Sequence, residues 1–227
     1  QKLLEAFTRS YKGAILDGIV LSPEPVTIGN DQARLKKLTF FTGTHPLPSL
    51  ENEASTLEIL RFIQDLPAGA SLVCLISGGT SSLLCLPPDL ISIQDLPQTY
   101  QTLLESGADI DEMNTVRKHL SLVKGGNLAQ KAHHLCLHSV LLSDVPNDKP
   151  EVIGSGPTVA DSTTFSDAMS VLDRYNLSPN LPNSVLDYLH QSTQGQHPET
   201  PKPGLNEHPN HTSQLVTGSK SMQPFFS

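Results

Sequence analysis

The residue types best suited to chemistry in this 227-residue sequence sit in one short stretch, Ser77-Gly78-Gly79-Thr80-Ser81-Ser82. Two glycines tolerate φ > 0 and leave the main chain bare, so successive N–H groups can approach a bulky anion. Thr80, Ser81 and Ser82 are good helix-capping residues, and a helix starting there would turn its positive end to the same point. Strand, glycine turn and helix start make a phosphate cradle. The same residues also suit a plain tight turn, because they match neither the Walker loop nor G-x-G-x-x-G.

A second group is basic. Asn114, Arg117, Ser121 and Lys124 recur at i, i+3, i+7 and i+10. On a helix starting near Asp109 they form one stripe, beside an apolar stripe of Met113, Val116, Leu120 and Val123. Cations two turns apart stand about 10 Å from each other, so they repel little and can both reach a triphosphate or a carboxylate. A solvated helix face has the same pattern. A third group follows the apolar run Leu135–Ser143. Asp144 and Asp148, at a strand's carboxyl end, suit Mg²⁺ held opposite phosphates, and equally suit local turn hydrogen bonds. Gly154-Ser155-Gly156-Pro157-Thr158 is another small-residue loop with N–H and hydroxyl donors. His45, in the loop Gly43-Thr44-His45-Pro46-Leu47-Pro48, lies at the end of a candidate strand, where open α/β sheets place ligands.

The elements that must hold these residues alternate. Leu72–Ile76 reads as a strand buried on both faces, and Ile15–Leu21, Leu38–Phe41 and Leu135–Ser143 read as further strands. Helices are expected over 1–12, from Ser49 to about residue 66, over 92–106, from Asp109 through Lys124, over 161–175 and over 183–190. This order predicts an α/β fold, Rossmann-like, three-layer α/β/α with a mostly parallel sheet. Residues 1–190 are expected to form a nucleotide- and substrate-binding domain. The Gln-, Pro-, His- and Asn-rich stretch 191–212 is expected to be an exposed linker, and 213–227 the start of a further segment.

Charge and composition narrow the partners. A formal charge of −8 with no basic run excludes nucleic acid as a natural partner. No run of 18 apolar residues occurs to span a membrane. The three cysteines, 74, 85 and 136, lie in apolar runs, as reduced buried thiols of a cytoplasmic protein do.

Taken together, Ser77–Leu84, Met113-Asn114-Thr115-Val116-Arg117-Lys118-His119-Leu120-Ser121 with Lys124-Gly125-Gly126, and Leu142-Ser143-Asp144-Val145 running to Gly154–Thr158 resemble the amino-terminal domain of type-2 glycerate kinases, the MOFRL family. Gly43–Pro48 and Thr200-Pro201-Lys202-Pro203-Gly204 extend the likeness from about residue 3 to the end. The resemblance implies ATP and Mg²⁺ as cofactors and phosphoryl transfer to D-glycerate, at its 2-hydroxyl, in a cleft between two domains. It assigns the phosphates to Ser77, Gly78, Gly79, Thr80, Ser81, Ser82, Gly154, Ser155 and Gly156. Arg117, Lys124 and Asp144 take catalytic roles, Asp144 and Asp148 the metal, and His45 and Asn114 the substrate. Thr80 stands where the family usually has a third glycine, Ser82 where it has alanine, Asn147 where it has glycine, and Lys220 where it has asparagine. A Gly-Lys-Ala-Ala segment with a catalytic lysine is expected before Gln1, and the MOFRL domain with a further arginine after Ser227, so the chain reads as a domain cut at both ends. A non-catalytic homologue that binds at most a small anion is the alternative. Hydroxypyruvate reductase, a name also used in this family, lacks a dinucleotide fingerprint here.

Overall fold

Residues 2–11, 17–26, 37–143, 148–205, 208 and 210–217 are described in the computed structural model. In chain order they form α1 (Lys2–Ser10), β1 (Gly18–Ser22), β2 (Leu38–Thr42), α2 (Leu50–Asp65), β3 (Ser71–Ile76), α3 (Thr80–Leu83), α4 (Asp95–Glu105), α5 (Ile110–His119), α6 (Asn127–Lys131), β4 (Cys136–Ser143), α7 (Phe165–Arg174), α8 (Asn183–Thr193) and β5 (His211–Thr217). Every strand pairing among the described residues is parallel: β1 with β2, and β4 between β3 and β5.

Strand periodicity sorts β3 between two layers. Leu72 and Cys74 face Ile63 of α2 and Leu128 of α6, while Val73 and Leu75 face Leu3 of α1 together with Val140 and Val216. Helices therefore cover both faces, as the α/β reading requires. The largest core lies among the helices, where Leu96, Leu103, Val116, Leu120, Leu172 and Leu189 of α4, α5, α7, α8 and their ends are wholly enclosed. No helix among the described residues is long and apolar enough to cross a membrane, and Cys74, Cys85 and Cys136 are all free thiols.

Three elements differ from their sequence reading. First, β3 is only half-buried over Leu72–Leu75, because it stands at the end of the β3-β4-β5 order. Second, α3 is a single turn. Carbonyls in it and just past it are taken by side chains from elsewhere, Ser82 O by Asn52 and Leu84 O by Lys124, and Pro87-Pro88 forbids resumption. Third, α5 stops at His119 instead of running through Lys124. Leu122 N–H donates to Leu86 O and Gly125 N–H to Ser155 O, so tertiary partners draw the backbone out of the helix; Ser121 and Lys124 thus leave the stripe shared by Asn114 and Arg117.

The stretch 191–212 is not exposed throughout. Thr200 is buried, Asp161 N–H donates to Pro201 O, and His197 stacks on Tyr188.

Candidate functional site

The turn after β3 is held by its own donors. Thr80 N–H and Oγ1 both donate to Ser77 O, at 3.3 and 2.7 Å, and Ser82 N–H and Oγ donate to Gly79 O. Ser82 is buried. The amides of Thr80 and Ser82 are therefore spent, whereas those of Gly78, Gly79 and Ser81 have no hydrogen-bond partner among the described residues. Gly79 has φ 84, and a Cβ there would lie 3.3 Å from His45 Cδ2. His45 thus stands directly against the bare part of the turn.

The second small-residue loop packs on the first. Gly154 and Ser155 have φ 59 and 61, and a Cβ on Gly154 would meet Thr80 Cβ at 3.0 Å. The bulk that Thr80 brings is thus accommodated by the missing side chain opposite. Ser155 Oγ donates to Asn114 Oδ1 at 3.0 Å and lies 2.8 Å from Ser81 Oγ. Its proton being committed to Asn114, Ser81 is the donor in the second bond. Ser155 and Gly156 N–H donate to Val152 O and Ile153 O. These hydroxyls and amides fasten three elements together rather than standing free, and Asn114 of α5 is part of the fastening.

Lys124 and Arg117 are close enough to feel each other's charge. Lys124 has no exposed surface, and Nζ donates to Leu84 O at 2.7 Å, just past α3. Burial draws its pKa down; Cys85 opposes this and Arg117 adds to it. Arg117 lies over the Tyr100 ring, 5.0 Å from guanidinium carbon to ring centre. Its pKa is also lowered, by burial. Arg117 Nε and Tyr100 Oη are buried without a partner, and no carboxylate pairs with Arg117 or Lys124 among the described residues. The Lys124 ammonium is thus wholly covered.

The metal reading finds less. Asp144 lies outside the described residues, Asp148 is half-buried at φ 53, and no group of three His, Cys, Asp or Glu among the described residues can hold a metal ion.

Two constellations had no local sequence signal. Asp161, with a side chain wholly buried, accepts from Lys118 Nζ at 3.3 Å, Thr163 N–H and Oγ1, and Thr200 Oγ1. Beside it His119 Nδ1 meets Thr115 O at 2.7 Å and Nε2 meets Glu199 at 3.2 Å. The other is Asn52, read from sequence only as part of a helix start, which bonds Ser82 O. Asn52 and Ser82 are 30 residues apart, Lys118 and Asp161 43, and His119 and Glu199 80, beyond the reach of any spacing rule.

The profile described as Domain of unknown function (DUF4147) matches residues 1–190. A Glycerate 2-kinase of Pyrococcus horikoshii is 40% identical over 171 residues, 75% of this chain and 39% of that protein. A Putative hydroxypyruvate reductase of Agrobacterium vitis is 43% identical over 168 residues, 74% of this chain and 37% of that protein. The chain spans under two-fifths of the length of these curated relatives. Among solved structures, a Pyrococcus horikoshii OT3 protein superposes with a TM-score of 0.78 at 36% identity, covering 89% of this chain and 44% of that one. Glycerate kinase of Thermotoga maritima follows with a TM-score of 0.75 at 33% identity, covering 88% and 44%. By the extent of the profile match and of these superpositions, the chain belongs to the DUF4147 family, the amino-terminal domain of glycerate 2-kinases.

Proposed function

We propose that this chain supplies the phosphate-binding part of an ATP-dependent kinase acting on D-glycerate, with 2-phosphoglycerate as product. The reading is supported by the free amides of Gly78, Gly79 and Ser81 in one turn, together with Lys124, buried just past α3 on Leu84 O, and Arg117, half-buried over Tyr100, neither paired with a carboxylate. Phosphoryl transfer asks little covalent chemistry of a protein and much positioning and charge relief. Bound ATP supplies the transferable γ-phosphoryl group. Gly78, Gly79 and Ser81 N–H donate to phosphate oxygens, and Arg117 and Lys124 lower the cost of gathering negative charge there. Ser81, Ser155 and Asn114 keep the turn in shape, and His45, against Gly79, contacts the glycerate.

A second reading rests on Lys124, whose ammonium is wholly covered and spent on Leu84 O. On that reading the chain keeps the fold and holds a small anion without turnover. A coupled assay of the purified chain with ATP, Mg²⁺ and D-glycerate separates the two. Turnover abolished by Lys124→Ala supports the kinase; ATP binding without turnover above that variant supports the anion binder.

A further inference from the structure

Asn52, in the first turn of α2, has no exposed surface. A buried carboxamide must satisfy two donors and two acceptor sites, and this one does so across two loops. Oδ1 accepts Ser49 N–H at 3.2 Å and Thr44 N–H at 2.9 Å. Nδ2 donates to Thr44 O at 2.9 Å and to Ser82 O at 3.0 Å. Main-chain donors on one side and carbonyls on the other fix which end is oxygen and which is nitrogen. Thr44 immediately precedes His45, and Ser82 closes the glycine turn. The loop bearing His45 is exposed and carries two prolines, so it has few ladder bonds of its own to keep it there.

We propose that Asn52 is a positioning residue, whose Nδ2 latches the His45 loop onto the carbonyl of Ser82 and so holds the imidazole beside the free amides of the glycine turn. The role rests on the reading of His45 as a contact to the phosphoryl acceptor. The two halves of the carboxamide separate the latch from the helix cap. Asn52→Asp keeps an oxygen for Ser49 and Thr44 N–H but turns a second oxygen toward the carbonyls of Thr44 and Ser82, breaking the latch. Asn52→Ser is too short to reach Ser82, which gives a second variant if the carboxylate prevents folding.

The test is a double-mutant cycle with His45→Ala in the full chain. In wild-type background Asn52→Asp is expected to raise KM for D-glycerate about tenfold with kcat within about threefold, the pattern of lost binding contacts. In His45→Ala background the same substitution is expected to add less than about twofold. An equal increment in both backgrounds, or none in either, overturns the latch. The NOE between the His45 ring and the Gly79 α-protons reads the latch without turnover: it is lost in folded Asn52→Asp or Asn52→Ser if the proposal holds, and its persistence refutes it. Loss of that NOE in a protein that does not phosphorylate D-glycerate leaves the latch standing and removes the kinase reading.

Discussion

Lys124 is the residue that most constrains the account. An ammonium with no exposed surface and one neutral partner carries a desolvation cost that its single hydrogen bond does not recover. A hydrophobic side chain of similar length would lift that cost and leave Leu84 O unpaired, a loss of about 1–3 kcal/mol. Lys124→Met is therefore expected to change stability by no more than about 2 kcal/mol in either direction, while weakening ATP by about tenfold through the lost charge. Thermal melting and calorimetric titration with ATP read the two effects separately. A variant that melts like wild type and binds ATP equally well would make Lys124 a packing residue. Arg117 and Lys124 were legible in the sequence as two cations on one helical stripe. Their burial was not, because it comes from Tyr100, Cys85 and Leu84, none of which is near them in the chain.

Among elements, the two small-residue loops were readable and their fit was not. Ser77–Ser82 and Gly154–Gly156 announce themselves by composition, since glycines after apolar runs punctuate any chain. That Gly154 faces Thr80 is a fact of packing. Gly154→Ala puts an L side chain at φ 59, costing about 1–2 kcal/mol, and adds the contact with Thr80 Cβ. Removing Thr80's side chain frees that space, so the substitution is expected to cost about 1 kcal/mol less in Thr80→Gly background. Additive losses by chemical denaturation would show that the loops do not touch. Helix α5 teaches the same lesson from the other side. Asp109 and Glu112 form a capping box that fixed its start, whereas its end depends on Leu86 and Ser155, and a periodic pattern that continues to Lys124 cannot reveal such partners.

At the scale of the whole molecule, the buried cluster at the end of α5 ties the segment around Glu199 to the helical core and makes stability respond to acid. Burial would raise the carboxyl of Glu199, but His119, Phe165 N–H and Lys202 outweigh it and lower its pKa to about 2, well below the ordinary carboxylate value. Burial also opposes ionisation of Asp161, yet Lys118 and Thr163 hold its carboxyl below the usual range. Both pKa values are depressed on folding, so their stabilisation is present above the unfolded values and is lost as pH falls through the folded ones. Between pH 4.5 and 2 the melting temperature of wild type is expected to drop, and Glu199→Gln to flatten part of that decline while melting lower at neutral pH. Parallel melting curves for the two proteins across this window would remove Glu199 from the acid response. Composition suggested an exposed stretch here, because a run poor in apolar residues docks through Glu199, Thr200 and Lys202 rather than through a hydrophobic face.

Amide chemical shifts report directly on the main-chain N–H groups of the glycine turn. In a titration of the ¹⁵N-labelled chain with ATP, the signals of Gly78, Gly79 and Ser81 are expected to move together and saturate at one dissociation constant, which Arg117→Ala weakens. ATP binding that leaves those three signals in place would contradict the account.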